Sequence, residues 1–160
     1  NNYIAEILTK NLAVAERGGT GTMPKGVQVL RDYMKEHKLS EGAVLDNPSG
    51  LARSNRFAPA DLLNILLHVK NNFRLFPEYF ASLPIAGVDG TLKKRLGADN
   101  QLGQVRAKTG HLAGVSGLGG YVSDKSGHLY SFVFLFNGSV DDGYKSKDLY
   151  DRLLEQITNN

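Results

Sequence analysis

Arg106-Ala107-Lys108-Thr109-Gly110, followed closely by Ser116-Gly117-Leu118-Gly119-Gly120-Tyr121, places a lysine, a hydroxyl and several glycines where one expected strand ends and another begins. A strand edge of this composition can grip an anionic group. Glycine lets a ligand come close to the backbone, and lysine supplies a compact point charge. The chemistry it suits is acyl transfer, which needs a nucleophile, a base and donors for a developing oxyanion. Lys108 and Thr109 are candidates to hold a substrate carboxylate, and the backbone N–H of His111 is a candidate oxyanion donor. Taken alone, the Lys-Thr-Gly tripeptide favours a plainer reading, an exposed lysine at a strand end.

Other chemistry-bearing residues are weaker candidates. His37, His68, His111 and His128 have no His-x-x-x-His spacing and no paired carboxylates, which favours surface or packing roles over a metal or a general base. Gly117, Gly119 and Gly120 are not followed by a helix. They read as strand glycines marking close backbone approach, not as a dinucleotide fingerprint. Asp46 and Asp89 read as turn-formers, and Ser49-Gly50-Leu51 as a turn.

The elements that must position these residues follow from periodicity. Ile4, Ile7, Leu8, Leu12 and Ala15 predict a helix over residues ~3–16, stopped by Gly18-Gly19. Thr22 and Pro24 open a second helix, with Val27, Leu30 and Met34 inward and an end near His37. Ala43-Val44-Leu45 is a short strand candidate before the turn Asn47-Pro48-Ser49-Gly50. Pro59 starts a third helix facing inward through Leu62, Leu63, Leu66 and Val69, and Pro77 starts a short fourth. Residues 85–103, with Gly87, Asp89, Gly90, Gly97 and Asp99, form the longest irregular stretch.

Strands are then expected over residues 104–108, 116–123 and 129–136, with Asp124-Lys125-Ser126-Gly127 as a hairpin turn. The run 129–136 is apolar at nearly every residue, which predicts a central strand covered on both faces. Leu149, Leu153 and Ile157 predict a helix over ~145–158 that packs on the sheet. The fold class is therefore α/β in the broad sense (α+β), helices plus an antiparallel sheet.

Composition narrows the function classes. The 160 residues, 41% apolar and 22% charged, belong to a folded chain and not a disordered one. Nineteen basic residues scattered among 16 acids leave a net charge of +3, which argues against a nucleic-acid partner. No run approaches the roughly 18–20 apolar residues of a membrane span. The absence of cysteine removes disulfides and thiol catalysis. The chain opens on Asn1-Asn2-Tyr3, already entering a helix, and is expected to be the middle or end of a longer protein.

Longer strings make the tripeptide specific. They are Asn2-Tyr3-Ile4-Ala5-Glu6, Ser49-Gly50-Leu51-Ala52-Arg53, Leu83-Pro84-Ile85-Ala86-Gly87-Val88-Asp89-Gly90-Thr91-Leu92, Val105-Arg106-Ala107-Lys108-Thr109-Gly110 and Gly119-Gly120-Tyr121-Val122. In this order the chain resembles the low-molecular-mass class C penicillin-binding proteins, the D-alanyl-D-alanine carboxypeptidase/endopeptidases. Lys108-Thr109-Gly110 matches the third of the motifs Ser-x-x-Lys, Ser-x-Asn and Lys-Thr-Gly. The whole chain is then expected to be the C-terminal part of a single transpeptidase/β-lactamase-like domain. Its first motif departs from the pattern, because no serine here has a lysine three residues on. Thr22-Met23-Pro24-Lys25 and Thr91-Leu92-Lys93-Lys94 fit that spacing with threonine and read as coincidence.

The resemblance implies that Asn2 is the asparagine of Ser-x-Asn, with Asn1 in the middle position and the motif serine just upstream. It implies a nucleophilic serine and its lysine base in an N-terminal portion outside this chain, and hence an isolated chain that exposes a large apolar face. Asn2 would hold that base lysine, Lys108 would help protonate the leaving amine and attract the terminal carboxylate, and Thr109 would bind that carboxylate. Gly110 would admit the substrate. His111 stands where the family usually has serine or threonine, which weakens one side-chain contact but keeps the backbone donor. The implied partners are peptidoglycan stem peptides, β-lactam antibiotics and the N-terminal portion. No metal or cofactor is implied, and the location is periplasmic or otherwise extracytoplasmic. A serine β-lactamase of the same fold and a non-catalytic cell-wall-binding remnant are the alternative functions.

Overall fold

Two compact units make up the chain, residues 1–64 and 65–160, in a computed structural model that describes residues 1–97 and 102–160. Asp99 lies outside the described residues. In the first unit, helix α1 (Asn2–Arg17) is capped by the Asn1 side chain, which accepts from the N–H groups of Tyr3 and Ile4. It ends where Gly18 takes φ 68°, the turn the Gly-Gly pair predicts. Helix α2 (Met23–Glu36) begins at Thr22 with Pro24 in its first turn. Helix α3 (Pro59–Lys70) starts in the first unit and ends in the second. The expected strand at residues 43–45 is reduced to a single bridge, Val44 to Arg56.

The inward face of α1 differs from the predicted one. Ile4 and Leu8 are 53% and 61% exposed, while Thr9 and Ala13 are buried. Close approach of the helices explains the phase: a Cβ at Gly26 of α2 would fall 2.0 Å from the Thr9 carbonyl oxygen. Small residues make this contact, so large apolar residues do not mark it.

In the second unit, helix α4 (Phe76–Ser82) precedes a three-stranded antiparallel sheet in the order β1 (Val105–Leu112), β2 (Val115–Ser123), β3 (Leu129–Asn137). Helix α5 (Val140–Thr158) follows. One face of the sheet packs Val105, Ala107, Leu118, Val122 and Phe132 against Tyr150 and Leu154 of α5. The other face packs Tyr121 against Leu66 and Leu83, with Phe76, Tyr79 and Phe80 around it. The Tyr121 hydroxyl donates to the Leu66 carbonyl at 2.8 Å, tying the sheet to the end of α3. No described helix is long and apolar enough to cross a membrane.

Three expectations are corrected here. Helix α5 starts five residues earlier than expected and its inward face is shifted: Tyr150 and Leu154 are buried, whereas Leu149 and Leu153 are 48% and 38% exposed, and Ile157 packs against the core as expected. Its N-terminal half sits on the sheet through small residues, Gly143 and Ser146, the latter with its hydroxyl 2.5 Å from that of Ser116. Strand β3 is at the margin of the described sheet and β2 is central. Strand β1 does not end at Lys108 but pairs on to Leu112, so the Lys-Thr-Gly tripeptide lies mid-strand.

The β2–β3 turn is held by Asp124, whose buried carboxylate accepts from the N–H (2.8 Å) and Nδ1 (2.9 Å) of His128 and from the Tyr130 hydroxyl (3.0 Å). Burial works to raise its pKa, but these bonds and the His128 charge together hold it below the ordinary 3.8. A depressed carboxyl pKa contributes stability that is complete above about pH 3.8 and disappears as pH falls through the lower folded value. Asp124→Ala in the full-length protein is therefore expected to lower the thermal midpoint at pH 7. The gap from wild type should close between pH 4 and the acid limit. An equal gap at every pH would show that the carboxylate charge is not what holds the turn.

Candidate active site

Along β1, the burial pattern alternates until the Lys-Thr-Gly tripeptide and then opens. Val105 and Ala107 are buried on the α5 face, so Thr109 and His111 share that face by parity. His111 leans on Tyr144 of α5, with ring centroids 5.1 Å apart. Arg106, Lys108 and Gly110 belong to the opposite face, where the Arg106 guanidinium lies 4.7 Å over the Phe80 ring. Beyond Arg106 that face is nearly bare of side chains on the two strands. Lys108 is opposite Gly119, and Gly110 is opposite Gly117.

The outer edge of β1 is covered over only part of its length. The Ala107 N–H donates to the Pro84 carbonyl (3.1 Å), and the Val105 carbonyl accepts from the Ala86 N–H (2.9 Å). Backbone groups alternate in direction along a strand, so the N–H and C=O of Thr109 and His111 point to this same outer edge. They lie past the end of the 84–86 pairing. The exposed Lys108 side chain bends round to donate from Nζ to the Thr109 carbonyl. An ammonium, a hydroxyl and a backbone N–H thus come together on one stretch of strand edge, an arrangement able to hold a carboxylate and a developing oxyanion.

The glycines divide by purpose. At Gly120 a Cβ would lie 2.2 Å from the Arg106 carbonyl oxygen, so close approach of β2 to β1 requires glycine there. A Cβ at Gly110 would meet nothing within 4 Å, and Gly110 is not among the positive-φ residues.

Asn2 belongs to the first unit, exposed in the first turn of α1, while Lys108, Thr109, Gly110 and His111 all belong to β1 in the second. The Ser49 turn forms as expected: Asn47 Oδ1 accepts from the Ser49 N–H at 2.8 Å. One residue escaped the sequence reading. The Thr109 hydroxyl donates to the Thr91 hydroxyl at 2.9 Å. Thr91 lies inside one of the quoted strings, and a hydroxyl following Asp89-Gly90 was its available signal.

The D-Ala-D-Ala carboxypeptidase 3 (S13) family matches this sequence over residues 1–158. The chain belongs to that family. It is 31% identical over 151 residues to D-alanyl-D-alanine carboxypeptidase DacB of Haemophilus influenzae, covering 92% of this chain and 31% of that protein. It is 36% identical over 144 residues to a D-alanyl-D-alanine carboxypeptidase of Actinomadura sp. (strain R39), covering 86% and 26%. The crystal structure of penicillin-binding protein 4 (dacB) from Haemophilus influenzae, complexed with a β-lactam, superposes with TM-score 0.83 at 27% identity. That match covers 96% of this chain and 39% of the other. The chain spans between about a quarter and a third of the length of these curated relatives. The helices and antiparallel sheet expected from the sequence periodicities are what the chain has, and the penicillin-binding protein 4 structure shares that arrangement.

Proposed function

We propose that the full-length protein containing this chain is a serine-type D-alanyl-D-alanine carboxypeptidase/endopeptidase. It acts on peptidoglycan stem peptides outside the cytoplasm and is inhibited by β-lactams. The observation that carries this reading is the outer edge of β1, where Lys108, the Thr109 hydroxyl and the His111 N–H converge in a chain of the S13 family.

In this mechanism a serine Oγ from a portion N-terminal to Asn1 attacks the carbonyl carbon between two D-alanines. Its proton passes to the lysine three residues after it. The His111 N–H stabilises the tetrahedral oxyanion, and the geometry of β1 fixes that donor before reaction. The C–N bond then breaks, the leaving amine takes a proton delivered with the help of Lys108, and an ester remains on the serine. Water hydrolyses that ester. Asn2 hydrogen-bonds the base lysine and the amide side of the substrate, while Lys108 and Thr109 receive the terminal carboxylate. Gly110, required by neither its conformation nor its neighbours, supports close passage of substrate along the strand. A β-lactam acylates the same serine.

We assign the remaining apolar surfaces to the rest of the protein. Ile4 and Leu8 on α1, Leu149 and Leu153 on α5, and the outer edge of β3 are faces that a longer chain would cover.

The test is to incubate the full-length protein with a peptide ending in D-Ala-D-Ala and, separately, with benzylpenicillin. Release of D-alanine together with a long-lived penicillin adduct is expected. Rapid penicillin turnover without D-alanine release would make it a β-lactamase. Neither reaction would make it a binding protein.

A further inference from the structure

We propose that Thr91 is a positioning residue for carboxylate recognition, acting through Thr109; this rests on the role given to Thr109 above. The segment 83–92 is built to deliver one hydroxyl to the edge of β1. Leu83, Ala86 and Leu92 are buried, and residues 84–86 are zipped to β1 as far as Ala107. The chain then turns away, with the Asp89 carboxylate accepting from the Ile85 N–H at 2.7 Å. Gly90, at φ 53°, passes so close to Pro84 that a Cβ would meet it at 3.0 Å. The following 3-10 turn (Gly90–Leu92) brings Thr91 back beside Thr109, the next residue of that parity on β1. Downstream, Arg95 fixes the segment to α5 through both oxygens of Asp151, at 2.7 and 3.1 Å.

A threonine hydroxyl has one proton and two acceptor lone pairs. Thr109 now spends its proton on Thr91. When a carboxylate arrives, the Thr109 proton rotates to the anion and the Thr91 proton rotates onto the Thr109 oxygen. Neither oxygen moves, and the bond between the two hydroxyls is reversed and kept. Without Thr91 the side chain of Thr109 loses the contact that selects its rotamer, and its oxygen loses the donor that polarises it toward the anion.

The experiment compares acylation of the full-length protein by benzylpenicillin and by its methyl ester, for wild type, Thr91→Val, Thr91→Ser, Thr109→Val and the Thr91→Val/Thr109→Val double variant. Thr91→Val is expected to slow the acid by about threefold to tenfold, the weight of one neutral hydrogen bond, and to leave the ester nearly unchanged. Thr91→Ser should retain the wild-type preference for acid. In the Thr109→Val background, Thr91→Val should add nothing. Wild-type behaviour of Thr91→Val, or an equal loss on acid and ester that serine does not rescue, overturns the proposal. If Thr109→Val itself does not favour the ester over the acid relative to wild type, the role of Thr109 fails instead. Should Thr91→Val not fold, Thr91→Ala gives the same readout without the added methyl.

Discussion

Lys108→Ala in the full-length protein is expected to reduce both D-Ala-D-Ala hydrolysis and penicillin acylation by about 10²–10³-fold, the scale on which removal of one preorganised electrostatic group acts. The fold should survive. Lys108 is exposed, the residue opposite it on β2 is Gly119, and its one described side-chain bond is to the carbonyl of the adjacent residue. An unchanged thermal midpoint alongside the lost activity separates chemistry from stability. Lys108→Arg keeps the charge but replaces a compact ammonium by a planar fork. It should recover part of the carboxylate attraction and little of the proton delivery. Labelling of Lys108→Ala by fluorescent penicillin at the wild-type rate would remove Lys108 from the mechanism.

Asn2→Ala should be nearly as damaging, by about 10²-fold, because a mispositioned general base forfeits most of what general-base catalysis contributes. Asn2 is exposed in the first turn of α1, and the helix cap is made by Asn1, so truncation at position 2 leaves the cap bonds to Tyr3 and Ile4 in place. The contrast variant is Asn1→Ala. It should destabilise α1 by about 0.5–2 kcal/mol while leaving the acylation rate of the folded protein close to wild type. Measured acylation rates and melting curves for the two variants give the answer. Equal activity losses would mean that the helix start matters and the Asn2 amide does not.

What could be read in the sequence follows the strength of each local signal. The glycine stop after α1, the Thr22–Pro24 start of α2 and the Asp124–Gly127 turn are set by backbone chemistry, and all three form. Helix phase was less legible, because the α1–α2 and α5–β2 contacts are made by Thr9, Ala13, Gly26, Gly143 and Ser146. Small residues carry little hydrophobic signal, so the larger Ile4, Leu8, Leu149 and Leu153 dominate the helical pattern instead. The sequence supports strand β1 only as far as Lys108, because Thr109-Gly110-His111 has no apolar alternation, yet its ladder with β2 continues through all three. The apolar run 129–136 predicts a central strand because both faces read as covered, but apolarity reports burial and not strand order. Its edge position follows from the β1-β2-β3 order. Of the candidate site, the order of the family strings pointed to Lys108, Thr109 and His111. The hydroxyl pair Thr91–Thr109 joins residues 18 apart through a turn that no periodicity reports.

In the proposed mechanism this chain supplies one wall of a serine acyl-enzyme site whose nucleophile lies upstream. The most direct measurement is peptide mapping of the benzylpenicillin adduct formed by the full-length protein. The predicted result is one penicilloyl group on a serine N-terminal to Asn1 that has a lysine three residues on, formed about 10²–10³-fold more slowly in Lys108→Ala. An adduct on a residue of this chain, or no adduct under conditions where D-alanine is released, would contradict the account.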